Sequence, residues 1–206
     1  NPYNWPVGKI GDLTEKTQYG TSKKASENIG AYPILRMNNI TYTGELDLLN
    51  LKYIDLNEDE KNKYLVYQGE LLFNRTNSRE LVGKTAVYNK NEPMAFAGYL
   101  VKLIPNKNAN SFFISGYLNS HYGKRYLYNK AKNSIGMSNI NATELKNIPI
   151  YIPPIKLQNE YKKKISIIDE KKKLFEKGLK NFEVLYESIL QKSFSGELFK
   201  EENIEV

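Results

Sequence analysis

Apolar residues in this chain follow two rhythms that change over at Pro153-Pro154. Before that point they form short runs such as Thr85-Ala86-Val87-Tyr88 and Tyr99-Leu100-Val101-Lys102-Leu103, separated by Gly, Asn and Pro. Such runs predict strands, and Val87 and Leu100 suggest that they are half-buried. Two helical stretches interrupt them. One starts near Asn57, whose side chain can cap with Glu60 three positions on. The other spans roughly 110–132, with Phe113, Leu118, Tyr122, Arg125 and Tyr126 close to one stripe. The mixture predicts an α+β globular domain over residues 1–153, with a twisted β-sheet and flanking helices. No internal repeat or low-complexity segment is visible.

After the prolines one helical pattern runs from about Ile155 to Phe194, interrupted only by Gly178. Counted in heptads from Ile165, the inward positions are Ile165, Ile168, Lys172, Phe175, Leu179, Phe182, Tyr186, Ile189 and Ser193, seven of nine apolar. Leu174, Leu185 and Leu190 widen the stripe. A helix of that length is a rod on the order of 60 Å long, more than one small domain can cover. A partner helix is expected, as in a coiled coil, and Gly196 stands where a C′ glycine stops a helix. Two shorter helices folding back at Gly178 are the alternative, although one Gly costs a helix only about 1 kcal/mol. Residues 154–206 thus read as a long coiled-coil-type helical region.

Charge sharpens the division. The formal net charge of +7 points to a polyanion or an anionic surface. Residues 1–153 hold 19 Lys+Arg against 13 Asp+Glu, a net +6, whereas residues 154–206 hold 11 against 10, a net +1. The excess lies in the globular part, and the tail has the balanced charges of a solvated helix. With no Cys, disulfides and thiolate metal sites are excluded. No run of about 18 apolar residues and no charged-then-apolar leader occurs, so neither membrane spanning nor secretion is indicated and the cytoplasm is the expected compartment.

Candidate chemistry centres on the polar stretch that follows the apolar Leu71-Leu72-Phe73. Asn74, Arg75, Thr76, Asn77, Ser78 and Arg79 are six consecutive hydrogen-bonding side chains. Arg pairs in two-pronged fashion with guanine, Asn with adenine, and Ser or Thr with either. A solvated hairpin loop is the plainer reading. A second surface is Gly123-Lys124-Arg125-Tyr126-Leu127-Tyr128-Asn129-Lys130 through Lys132-Asn133-Ser134-Ile135-Gly136-Met137-Ser138-Asn139, where bases and aromatics interleave with Gly as phosphate contacts do. Arg36, Asn38 and Asn39 form a third polar patch.

Catalytic signals are poor. His121 is the sole His and has no partner in view, so a metal centre or a Ser-His-acid triad is disfavoured. Asn1-Pro2-Tyr3 lacks the second Pro of the amino-methyltransferase motif, and no Gly-x-Gly loop follows a strand. Asp12, Glu15 and Lys16 match the nuclease pattern only loosely.

Five segments in order carry a family resemblance. They are Trp5-Pro6-Val7 with Ile10-Gly11-Asp12-Leu13, then Tyr32-Pro33-Ile34-Leu35-Arg36-Met37-Asn38-Asn39-Ile40 with Gly44-Glu45-Leu46, then residues 69–84. Ile148-Pro149-Ile150-Tyr151-Ile152-Pro153-Pro154-Ile155 with Gln158, and Ser188-Ile189-Leu190 through Ser193-Phe194-Ser195-Gly196-Glu197-Leu198, complete the series. The chain resembles the target-recognition domain and spacer helix of the specificity subunit of type I restriction-modification systems. In that family a Gly-Asp/Glu-Ile/Leu-Leu-Phe strand leads to an Arg-Thr/Gly-Asn-Ser loop and a Val-Gly-Lys turn, as at residues 69–84 here.

The resemblance implies a non-catalytic subunit that binds one DNA half-site by sequence and recruits separate methyltransferase and endonuclease subunits. S-adenosylmethionine, ATP and Mg would belong to those partners, with no cofactor in this chain. The implied DNA contacts are Arg36, Asn38, Asn39, Asn74, Arg75, Thr76, Asn77, Ser78, Arg79 and Lys84, with Lys124, Arg125, Lys132, Asn133, Ser134, Met137 and Ser138. Two spacer helices pair antiparallel in a full-length subunit, and one is present here. A half-subunit would therefore pair as an antiparallel homodimer through Ile165, Ile168, Phe175, Leu179, Phe182, Tyr186 and Ile189, whereas a fragment would belong to a longer subunit. The alternatives are the recognition half of a fused restriction-methyltransferase and a coiled-coil adaptor that binds protein.

Overall fold

The computed structural model of the chain describes residues 3–134 and 137–199. One antiparallel sheet has the order β2 (Thr14–Tyr19), β10 (Leu100–Pro105), β6 (Leu71–Asn74), β8 (Thr85–Val87). A second runs β4 (Lys52–Ile54), β3 (Tyr32–Leu35), β9 (Met94–Phe96), β5 (Leu65–Val66), with β3 and β9 parallel. A smaller sheet joins β11 (Lys132–Ser134), β12 (Met137–Asn139) and β7 (Thr76–Asn77). Strand β1 (Val7–Lys9) pairs with β13 (Pro149–Tyr151). The helices are α1 (Glu58–Tyr64), α2 (Ser111–Asn119), α3 (His121–Lys130), α4 (Ala142–Lys146) and α5 (Ile155–Phe194). The chain is α+β, as its pattern predicts.

In the first sheet β6, β8 and most of β10 are covered on both faces, and the sequence shows why. Successive strand residues point to opposite sides. Leu71 and Phe73 of β6 pack with Val101, Leu103, Ile114, Leu118 and Leu127, the helix side. Leu72 packs with Leu100, Ala86, Leu35, Val66 and Phe96, the side facing the second sheet. The strands that carry Val87 and Leu100 are therefore buried on both faces where they cross the core, and not half-buried. Burying each Leu or Phe of β6 contributes about 1.5–3 kcal/mol. Lys102 on β10 also turns inward. It donates from Nζ to the Leu65 carbonyl at 2.7 Å and lies 3.2 Å from Glu70, so the buried charge is paired.

Helix α1 starts with the expected capping box, Asn57 Oδ1 accepting from Glu60 N at 2.9 Å and Glu60 Oε2 accepting from Asn57 N at 3.0 Å. The expected single helix over 110–132 is two helices, α2 and α3. Ser120 divides them by taking an extended ψ of 161° and accepting at Oγ from Gly123 N at 3.1 Å, which makes it the N-cap of α3. The start of α3 packs so closely on α2 that a Cβ at Gly123 would lie 2.2 Å from the Tyr117 carbonyl. The stripe is broken accordingly, with Leu118 buried but Tyr122 and Arg125 exposed.

The chain divides into two compact units, Asn1–Lys162 and Lys163–Val206. The first takes in the opening turns of α5, where Gln158 is fully buried. Its Oε1 accepts from Asn110 N at 2.9 Å and its Nε2 donates to the carbonyls of Pro153 and Asn108 at 2.9 and 3.2 Å. The second unit continues α5 through Gly178 without a break, so one helix replaces the folded-back pair of the alternative reading. It ends at Phe194, and Gly196 takes φ +76°, the left-handed conformation of a C′ glycine. Within this unit Ile168, Phe175, Leu179, Phe182, Tyr186 and Ile189 are all exposed, and Ile165 is partly covered. Among the described residues no helix is long and apolar enough to cross a membrane.

Candidate nucleic-acid interface

The pairing of β7 with β12 assembles the site. Asn77 lies opposite Ser138 and Thr76 opposite Asn139, so the polar stretch after β6 and the one after α3 become neighbouring strands of one sheet. Arg75, just before β7, reinforces the joint. Its Nη2 donates to Asn139 Oδ1 at 3.3 Å, and its guanidinium sits 5.0 Å from the Tyr19 ring centroid. Asn139 Nδ2 in turn donates to Thr76 Oγ1 at 3.2 Å, and Tyr19 OH accepts from Ala142 N at 3.0 Å. Arg75 Nε is buried without a partner, a cost that the surrounding contacts must offset.

Two residues beyond β7, Arg79 reaches α3. Its Nε donates to the Tyr128 carbonyl at 3.1 Å, and its Cζ stands 4.2 Å from the centroid of the Tyr128 ring, a cation–π stack. Ser78 begins a turn in which its carbonyl accepts from Leu81 N and Val82 N. The Glu80 carboxyl is held below the usual carboxylate range by hydrogen bonds from its own backbone N–H and from Ser78, with Arg79 adding a smaller electrostatic contribution.

The third patch is tied to the other two from below. Lys84 Nζ donates to the Met37 carbonyl at 2.9 Å, and burial pulls its amine below the ordinary lysine value. Arg36 Nη2 donates to the Asn50 carbonyl at 2.7 Å. Asn39 Oδ1 accepts from Arg36 N, and its Nδ2 donates to the Asp47 carbonyl, each at 2.9 Å. Lys124 on α3 reaches the 40–46 loop, donating to the Tyr42 carbonyl at 2.5 Å above the Tyr42 ring, and partial burial lowers its amine as well. That loop turns at Gly44, where φ is +90° and a Cβ would lie 2.3 Å from Asn119 Nδ2. Only Gly fits there.

Burial sorts the expected contacts. Asn38, Arg125 and Met137 are exposed, while Asn77, Ser78, Arg79, Arg36, Arg75 and Lys124 are partly so. Asn39, Asn74, Thr76, Lys84 and Ser138 are buried and build the fold, so in this structure their side chains do not reach a groove. Asn74 is enclosed because β6 is covered on both faces, and both polar atoms of its side chain lack a partner. The side chains of Lys132, Asn133 and Ser134 lie outside the described residues, as do Ile135 and Gly136 of the same loop. Tyr128 and Asn139 lie within the second expected stretch, whereas spacing along the chain gives no signal for Tyr19 and Tyr42, because each meets a cation brought to it by the fold.

The assembled residues place amide, hydroxyl and guanidinium groups among aromatic rings. That is the donor and acceptor set that positions on phosphates and reads base edges. Residues 2–183 match the type I restriction modification DNA specificity domain. The chain is 32% identical over 171 residues to the MjaX type I restriction enzyme specificity subunit of Methanocaldococcus jannaschii, covering 82% of this chain and 40% of that one. It is 28% identical over 193 residues to the EcoKI specificity subunit of Escherichia coli K12, covering 90% and 41%. Its fold is similar to the HsdS subunit of Thermoanaerobacter tengcongensis, with TM-score 0.57 at 19% identity over 83% of this chain and 39% of that one. The chain thus spans about two-fifths of the length of these relatives.

Proposed function

The chain belongs to the family of type I restriction modification DNA specificity domains, and from that membership we propose that it binds duplex DNA and reads one half-site by sequence. In this reading separate methyltransferase and endonuclease subunits dock on the complex and carry S-adenosylmethionine, ATP and Mg, while this chain performs no covalent chemistry. A specificity subunit with one recognition domain needs a second one to read a bipartite site. In a half-subunit the stripe of α5, from the partly covered Ile165 through the exposed Ile168, Phe175, Leu179, Phe182, Tyr186 and Ile189, supplies it by antiparallel pairing with a second copy, whereas in a fragment the second domain belongs to the same longer subunit.

The observation that carries the reading is the β7–β12 pairing, which draws polar residues 61 to 63 positions apart into one sheet on the part of the chain that holds six of the seven excess charges. The exposed Asn38, Arg125 and Met137 and the partly exposed Asn77, Ser78 and Arg79 are the direct candidates for contact. Arg36, Arg75 and Lys124 are also partly exposed, but a terminal nitrogen of each is bonded within the fold, and they shape the surface.

Equilibrium binding of a random-sequence duplex across a salt series tests it. Displaced counterions make log K fall linearly with log salt, with a slope of about −0.9 per phosphate neutralised. Affinity that is absent at low salt, or indifferent to salt, would remove duplex DNA as the ligand.

A further inference from the structure

Arg79 and Arg75 flank the same strand and are used differently. The Arg75 guanidinium is committed to Asn139 and Tyr19. The Arg79 guanidinium is held on one edge by Nε donating to the Tyr128 carbonyl and on one face by the Tyr128 ring, while among the described residues no acceptor meets Nη1 or Nη2. Tyr128 is 41% exposed, so the stacked pair stands at the surface. Glu80, the adjacent acid, is bonded to its own backbone and to Ser78.

We infer that Arg79 is a specificity-determining residue whose outer N–H groups read a guanine in the major groove, and that Tyr128 is the positioning residue that holds the guanidinium plane ready. The inference rests on the DNA-binding reading above and deepens it. Guanine O6 and N7 and a phosphate both accept an arginine fork. A plane clamped before binding favours the guanine edge, whose orientation the duplex fixes, because the fork then gives up little rotamer freedom on contact.

The test uses duplexes that the whole chain selects from a random pool. The wild-type chain is expected to enrich a site with at least one strongly preferred guanine, and 7-deazaguanine there, which lacks the N7 acceptor, weakens binding roughly ten- to hundredfold. Arg79→Ala loses that preference and gains no further loss from the deaza base. Arg79→Lys keeps the charge and the salt slope but loses the preference, since a point charge lacks the fork. Tyr128→Leu blurs the same position, and Tyr128→Phe restores it by returning the ring, with melting temperatures confirming that each variant folds. If Arg79→Ala or Arg79→Lys keeps every base preference, Arg79 is a phosphate contact and the inference fails while the DNA-binding reading stands. If Tyr128→Leu matches wild type, the positioning role fails. If the wild-type chain enriches no sequence, the inference and the reading fall together.

Discussion

Arg75 donates from Nη2 to Asn139 Oδ1 across 64 positions of sequence, at 3.3 Å. This bond fastens the small β11–β12–β7 sheet to the strand that leads out of the core. Hydrogen bonds to charged groups contribute about 1.5–3 kcal/mol. Arg75→Ala should therefore destabilise the chain by about 1–3 kcal/mol and weaken binding to all duplexes together, in contrast to the base-specific loss that the resemblance alone implies. A double-mutant cycle with Asn139→Ala should show coupling of about 0.5–2 kcal/mol in urea unfolding; strictly additive effects would mean that the two side chains act independently.

Gln158 is the second joint. Its side chain satisfies Asn110 N–H and the carbonyls of Asn108 and Pro153 while fully buried. Gln158→Ala leaves those backbone groups without partners in a dry place, at a cost of about 2–4 kcal/mol. The urea midpoint should fall with the slope unchanged. A midpoint within experimental error of wild type would show that water replaces the amide without penalty.

Much of this was readable in the linear pattern, and the failures share a cause. Asn57 and Glu60 cap a helix through bonds three residues apart, and the Ile155–Phe194 rhythm is a single helix, because both are local. Which polar residues face outward is not local. Asn74 and Asn77 are equally polar and three positions apart, yet the first is sealed between two cores and the second sits on a surface strand opposite Ser138. The break at Ser120 escapes notice for a related reason. A serine inside an amphipathic stretch reads as one more polar position, whereas its hydroxyl is spent on capping α3.

Alkaline stability should follow the buried phenols. Desolvation raises both Tyr88 and Tyr117 to about 12 from an ordinary value of 10. Their folded values lie above the unfolded one, so the stability they contribute is fully present below pH 10 and is lost as pH rises toward 12. Lys84 and Lys124 work in the opposite direction, since burial lowers each amine and the unfolded chain binds the proton more readily just below pH 10.5. The amines act below pH 10.5 and the phenols from pH 10 upward, so melting temperature should fall toward pH 12. Tyr88→Phe should flatten that fall; an unaltered profile would place the alkaline transition elsewhere.

The stripe on α5 makes a claim about assembly. Phe175, Leu179 and Phe182 are 72%, 61% and 71% exposed in the single chain, an apolar surface that a partner helix would cover. Sedimentation should give a dimer at tens of micromolar, and Phe182→Asp should dissociate it, because two carboxylates near the seam would be desolvated. A wild-type monomer, or a dimer indifferent to Phe182→Asp, would rule out pairing through this face.

Selection of bound duplexes from a random pool by the intact chain bears most directly on the central claim that this chain reads DNA by sequence. Two copies joined by antiparallel α5 helices should enrich an inverted repeat, two identical half-sites separated by a gap of fixed length and indifferent sequence. A pool that returns no common sequence after successive rounds, with binding that follows charge alone, would contradict it.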